Sequence, residues 1–424
     1  MRNLIAVACI FVPVISFASH AYADESGQRG VRLIEEGEID QGRALLRKVA
    51  EGNNTKYQVI LGRHLIKTAK NKANIAEGIH WLERSAGIGD IEAIWELGRH
   101  YHWGIGVDTD YTKARRWYEK AAKLGDHFSM LALGWMHRDG KGVEKDGSKA
   151  FKYFKEAEQR GNTAVYGEIG QAYLKGEGVQ KNISLARNYL RKAAANDDKY
   201  VLVLLGKHLL ETAETEAIVK EGLQWLKRGA DLGYAYAMSV LGRAHLRGQG
   251  IEQDTQLGRE YLRKAANAND QYSQAILGEH LVTTAQTSSE TLEGLDWLER
   301  AAQNKYPYAM SRLGHIYAYG IGVPQSHKKS RYWFQKAAAH NDTYSLAALA
   351  RFYRDGRGVK QDGERALAYF LQALEAGNEL IFDEIGRLYS GQAGITPNLN
   401  KAKYYFELGE KNNSPSSTAS LGRI

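Results

Sequence analysis

One position in this chain recurs with a chemical bias. Arg63, Arg99, Trp135, Gln171, Lys207, Arg243, Glu279, His315, Arg351, Arg387 and Arg423 stand at a constant spacing of 36 residues, and seven of the eleven are basic. A guanidinium forks onto carboxylates, and a flat aromatic ring offers rigid apolar area. Arg set among aromatics is therefore the composition of a binding surface rather than of a reaction centre. Trp95, Trp103, Trp135 and Tyr319 fall close to this column in sequence and are expected to be exposed. The competing reading is that these cations pair with acids of the adjacent unit, as charge columns on protein surfaces commonly do.

Covalent and metal chemistry find no support. The chain has no H-E-x-x-H, nucleophile elbow, phosphate loop or paired-cysteine motif. His64, His100, His208 and His280 share one column at whole multiples of the period, so a structural role accounts for them. His102 lies two residues from His100, on another side of the same helix, whereas a metal needs convergent ligands. Carboxylates are scattered. The chain is read as a non-enzyme that needs no cofactor and no metal.

The elements that carry the column follow from the period. Leu-Gly or a close variant recurs at Leu61-Gly62, Leu97-Gly98, Leu133-Gly134, Ile169-Gly170, Leu205-Gly206 and Leu241-Gly242. It continues at Leu277-Gly278, Leu313-Gly314, Leu349-Ala350, Ile385-Gly386 and Leu421-Gly422, without insertion or deletion. Residues 55–414 thus hold ten units. In 91–126, Ile94, Leu97 and Tyr101 make one apolar helical face, Gly104-Ile105-Gly106-Val107 breaks it, and Ala114, Trp117, Tyr118 and Ala121 resume it. Each unit is two helices. The second carries an aromatic column (Trp81, Trp117, Tyr153 and onward to Tyr405) flanked by small residues three before and four after. Mid-helix glycine costs about 1 kcal/mol against alanine, so those small residues imply close helix approach, with the rings lying over them. The residue after the helical Gly lies about 200° from the buried Leu, on the far side of the first helix.

Three units, 55–90, 199–234 and 271–306, lack the Gly-x-Gly loop and carry Thr68-Ala69, Thr212-Ala213 and Thr284-Ala285 instead. Their first helices are expected to run longer or their loops to turn differently. The pairs 199–270 and 271–342 suggest duplication of a double unit. Residues 24–54 keep Gly42, Leu45 and Leu46 and read as an N-terminal cap, and 415–424 as a partial C-terminal repeat.

Residues 1–23 read as an export signal: Arg2, an apolar stretch from Leu4 to Phe17, and Ala21-Tyr22-Ala23, with cleavage before Asp24. Ala6-Val7-Ala8-Cys9 looks like a lipidation box, but only Leu4 and Ile5 precede it as apolar core. Cleavage removes the single Cys, excluding a disulfide framework, and lowers the formal charge from +8 to +7. No later stretch is long and apolar enough to cross a membrane. The mature protein is expected in the periplasm, at the cell surface or in the medium, which argues against nucleic acid as a partner.

The pattern A-x-x-x-L-G-x-x-Y-x-x-G-x-G-V, followed by small-x-x-aromatic-apolar-x-x-small, is clearest in Ala93 to Ala122 and Ala309 to Ala338. It resembles the Sel-one-like repeat family, relatives of tetratricopeptide repeats. The resemblance implies an all-α, right-handed superhelical solenoid, monomeric, whose concave surface is lined by the residue after the helical Gly. On that footing the partner-binding candidates are Arg63, Trp95, Arg99, Trp103, Trp135, Lys207, Arg243, Tyr319, Arg351 and Arg387. It also implies a protein partner, such as an acidic segment or a host protein. The alternatives are a scaffold for an acidic polysaccharide secretion machine and, last, a cell-wall enzyme, for which the chain has no nucleophile–base set.

Overall fold

The computed structural model describes residues 24–423, and every regular element among them is helical. The export signal, Cys9 and the cleavage position lie outside the described residues. The helices divide into two compact units, one ending at Val201 and one beginning at Leu202.

The first unit contains α1 (24–35), α2 (Ile39–Glu51), α3 (Thr55–Lys67), α4 (Lys72–Ile88), α5 (Ile91–Trp103), α6 (Tyr111–Lys123), α7 (His127–Asp139), α8 (Gly147–Gln159), α9 (Tyr166–Lys175) and α10 (Ile183–Ala194). Helix α11 (Lys199–Glu211) carries the division. The second unit continues with α12 (Glu216–Asp231), α13 (Ala235–Arg247), α14 (Thr255–Asn267), α15 (Gln271–Thr284), α16 (Ser288–Gln303) and α17 (Pro307–Tyr319). It ends with α18 (His327–Ala338), α19 (Thr343–Asp355), α20 (Gly363–Glu375), α21 (Phe382–Tyr389), α22 (Leu399–Lys411) and α23 (Pro415–Leu421). Within each unit the helices pair in chain order, the all-α helix-turn-helix architecture that the 36-residue period requires.

Local chemistry sets the boundaries. Asp90, Asp110, Asp126 and Asp146 each accept the backbone N–H three residues on, capping α5, α6, α7 and α8 in turn. Gly104, Gly140, Gly248, Gly320 and Gly356 end first helices in the left-handed conformation that side chains resist. The loop is then tied back, as when Asp110 N–H donates to the Tyr101 carbonyl at 2.9 Å. The second loop glycine has a different task. A Cβ on Gly106 would meet Ile66 at 2.9 Å and Ile75 at 3.1 Å, and one on Gly142 would meet Tyr111 at 2.6 Å. Each loop thus lies directly on the helices of the preceding repeat.

The ring that fills the helix crossing is not the one the column of aromatics suggests. A Cβ on Gly98 would lie 2.5 Å from the ring of Tyr118, and one on Gly314 or Gly386 equally close to Phe334 or Phe406. These fully buried residues follow the aromatic column by one position. The column itself is half-buried except at Trp81 and Trp297. It stacks instead on the first helix of its own repeat: Tyr353 on Tyr369 at 5.8 Å and Tyr389 on Tyr405 at 5.7 Å, nearly parallel. Where the small residue three before the column is Gly rather than Ala, backbone meets backbone. Gly62 faces Gly78, Gly242 faces Gly258 and Gly278 faces Gly294, each with a Cβ-to-carbonyl separation below 3 Å. There the crossing residue is Leu82, Leu262 or Leu298 rather than a ring.

The repeats without Gly-x-Gly depart in their second helices. Helices α4, α12 and α16 hold 17, 16 and 16 residues against 13 in α6, whereas only α15 among their first helices is lengthened, to 14 residues. The threonine closes the first helix by donating to the carbonyl four residues back: Thr68 to His64 and Thr212 to His208 at 2.6 Å, Thr284 to His280 at 2.7 Å. An arginine pair from the preceding second helix holds the loop. Arg43 donates to Thr68 and Arg47 grips Glu77 bidentately, and Arg259 and Arg263 repeat this on Thr284 and Glu293. At the start, α1 and α2 also cross on glycine, Gly42 facing Gly30.

Candidate partner-binding surface

At several repeats the residue after the helical Gly reaches across to the first helix of the next repeat. Arg63 on α3 donates through Nε to Glu96 and through Nη2 to Glu92, both on α5 and both at 2.5 Å. Arg351 on α19 holds Glu384 on α21 with two hydrogen bonds of 2.7 and 2.9 Å, joined by Arg354 at 3.2 Å. Trp135 Nε1 donates to Glu168 at 2.7 Å, and Arg138 joins it at 2.6 Å. In one repeat the polarity reverses: Glu279 on α15 takes both Arg312 and the Tyr308 hydroxyl from α17.

The acceptor position is the residue just before the repeat's Leu, and its identity decides the contact. It is Glu at 96, 168 and 384, Arg at 312 opposite Glu279, and Ala132 opposite Arg99. Arg99 accordingly turns to its own helix, 3.7 Å from Glu96 and 5.0 Å above the Trp95 ring. Lys207 and Arg387 likewise pair within their helices, with Glu211 at 3.7 Å and Asp383 at 2.9 Å. The positive groove expected from the column is thus largely neutralised by carboxylates that sequence inspection of the cations alone overlooks.

The aromatics divide too. Trp103 and Tyr319, at the ends of α5 and α17, are 60% and 62% exposed, whereas Trp95 and Trp135 are half-buried. Missed in the sequence is a second aromatic column, five residues before the Leu in six of the repeats: Phe128, Tyr200, Tyr236, Tyr272, Tyr308 and Tyr344. The 36-residue period contained that signal, but the position lies outside the Leu-Gly motif. Phe128 and Tyr236 are about half exposed. Phe128 packs 6.2 Å from Trp95, and with Arg63, Ile91, Glu92 and Asp126 these rings line an open pocket of about 400 Å³ on the first unit. In the second unit Tyr344 lies 6.2 Å from His315 and 40% exposed.

Electrostatics follows packing. Burial, reinforced by the Glu279 carboxylate, pushes the Tyr308 hydroxyl far above the ordinary tyrosine value. Burial pulls His315 below 6.5, aided by Arg312. Glu384 holds Arg351 charged beyond the usual guanidinium range. His100 is buried and its Nδ1 meets the Ile105 carbonyl at 2.7 Å, so the imidazole braces the loop. Among the described residues no three His, Cys, Asp or Glu side chains converge as a metal would require, and no helix is long and apolar enough to cross a membrane.

Comparison with known proteins agrees with this geometry. The chain is similar to the protective antigen c5321 of uropathogenic Escherichia coli strains, a structure displaying an SLR fold. That likeness has a TM-score of 0.58 and 25% identity over 90% of this chain and 89% of the other. It is also similar to a Sel1 repeat protein from Oxalobacter formigenes, with a TM-score of 0.55 and 28% identity over 72% and 89%. No curated protein matches the chain. The Sel1 repeat model matches residues 71–90, 91–126, 127–162, 166–198, 219–234, 235–270, 290–306, 307–342, 343–378 and 384–414. In the three repeats without Gly-x-Gly it catches only the second-helix segments. The chain belongs to the Sel1 repeat family.

Proposed function

We propose that this protein is an exported protein-binding scaffold whose first helices hold an extended segment of a partner. Stacked Sel1 repeats are a fold typical of protein–protein interaction. The observation that carries the reading is the contrast along the first helices. Most of their cations are held by carboxylates of the chain itself, while Phe128, Tyr200, Tyr236 and Tyr344, with Trp103 and Tyr319 at helix ends, stand exposed to solvent. Rigid rings that lose little entropy on binding are the usual anchors of interfaces, and the pocket beside Trp95 and Phe128 has room for an apolar side chain. Export is supported by the character of residues 1–23. Contact with a host is supported by the likeness to a protective antigen.

The test places the photo-crosslinking residue benzoylphenylalanine at Tyr236 or Tyr344, on first helices, and at Tyr332 or Tyr404, exposed on second helices. Irradiation of intact cells, with and without host material, is expected to give discrete adducts from the first pair alone. Equal labelling at all four positions, or none, would overturn the reading.

A further inference from the structure

We infer that α13 and α15 form a receiving site for a carboxylate of an acidic peptide segment, centred on Arg243. The inference rests on the scaffold reading above and names the chemistry of its partner. From Arg63 to Arg387, each other basic residue of the column has a carboxylate of the chain within 4 Å. Arg243 has none. The position that supplies Glu96 to Arg63 and Glu384 to Arg351 is here Ile276. The guanidinium instead lies 5.1 Å over the Tyr272 ring, with one Nη1 hydrogen bond of 3.3 Å to its hydroxyl. Its Nε is shielded from solvent and donates to nothing. A half-buried guanidinium that has lost water without gaining an anion binds carboxylate more strongly than an exposed one, and its planar fork matches two carboxylate oxygens.

The surroundings extend the site along one stripe. Tyr236 lies two turns before Arg243 on α13, and Arg247 one turn after it. Tyr236 is half exposed, and Arg247 is exposed with no ion pair among the described residues. A peptide fits better than an acidic polysaccharide. Sugar rings need open aromatic faces, but Arg243 covers a face of Tyr272. On the next repeat the Tyr308 hydroxyl is given to Glu279 and Arg312 lies 5.7 Å from its ring. Two cations one turn apart instead suit acidic side chains alternating along an extended strand.

The experiment measures fluorescence anisotropy of a labelled ten-residue peptide of alternating Glu and Ala on the purified full chain. The Gln–Ala isostere and an oligogalacturonate serve as comparison probes. The Glu peptide is expected to bind, and Arg243→Gln to weaken it at least about tenfold. Lys227→Gln makes the same charge change on the second helix α12 and is expected to leave binding within about twofold. Circular dichroism establishes that both variants fold. Equal losses from the two variants, equal binding of the Gln peptide, or preference for the oligogalacturonate would overturn the inference. If the Tyr236 and Tyr344 adducts form while Arg243→Gln binds normally, the carboxylate site fails and the scaffold stands. If Arg243-dependent binding occurs without selective adducts, the scaffold reading is the one that fails.

Discussion

The crossing of α5 and α6 offers a sharp test of how these repeats are held together. Gly98 has no room for a methyl group, because its Cβ would lie 2.5 Å from Cδ1 and Cε1 of the buried Tyr118 ring. Gly98→Ala must therefore push the ring or spread the helices, an overpacking cost of about 1–3 kcal/mol. Alanine's better helix propensity returns up to about 1 kcal/mol, so the net loss is expected near 1–2 kcal/mol. Tyr118→Leu alone empties part of the crossing and costs about 1–3 kcal/mol. Combined, the two changes compensate: with the ring gone, Gly98→Ala becomes neutral or mildly stabilising, a coupling of at least about 1 kcal/mol. Repeat arrays can unfold piecemeal. Urea denaturation should therefore be joined by hydrogen exchange of peptides covering 91–123, where the loss of protection must concentrate. Gly87→Ala is the control, since an added methyl there meets nothing within 4 Å, and it is expected to be neutral or stabilising. If Gly98→Ala costs the same with Tyr or Leu at 118, or costs nothing, the packing argument is refuted.

Three further outcomes follow from other parts of the structure. Glu384→Gln removes the charged partner of Arg351 and leaves Arg354 with Asp355 alone; discounted for partial exposure, the loss in urea stability is about 1 kcal/mol. It should shrink as salt is raised, and a salt-independent loss would contradict an electrostatic origin. Gly106→Ala combines a φ of +76° with contact against Ile66 and Ile75, whereas Gly394→Ala meets nothing within 4 Å at a φ of +80°. Thermal melts should show about 2–3 kcal/mol lost at 106 and about 1 kcal/mol at 394, and equal losses would exclude a packing role for the loop glycine. Finally, burial pulls His64, His100, His102, His137, His245, His280 and His315 below their ordinary 6.5. Below that value the unfolded chain takes up protons that the folded chain refuses, so stability is complete above it and declines as pH falls toward the lower folded values. The melting temperature should drop between pH 7.5 and pH 5, and less so in His100→Gln; a constant or rising value toward acid would contradict the assignment.

Much of the fold was legible because translation by 36 residues repeats every local cause at once. Leu97, Gly98, the cap Asp110 and the loop Gly104-Ile105-Gly106 each specify their own conformation, and recurrence multiplies a weak signal. What could not be read was which large side chain of Trp117-Tyr118 turns inward. The two are adjacent on the helix, and only the position of α5 decides that Tyr118 fills the crossing while Trp117 stays half-buried. The longer second helices α4, α12 and α16 escaped for a similar reason: the arginine clamps that hold the loops before α4 and α16 come from the preceding repeat.

The candidate surface shows the same division. Composition located the arginine column, since its period needs no coordinates. Whether each cation is available depends on a residue 33 positions away, across a helix interface. Arg63 and Arg351 meet Glu96 and Glu384 there, whereas the position opposite Arg243 is Ile276 and no carboxylate among the described residues compensates its charge. Sequence sets the inventory of charges and rings along each helix, because helical geometry is local. Pairing between helices is a property of their packing, and it alone separates a structural arginine from one left to bind.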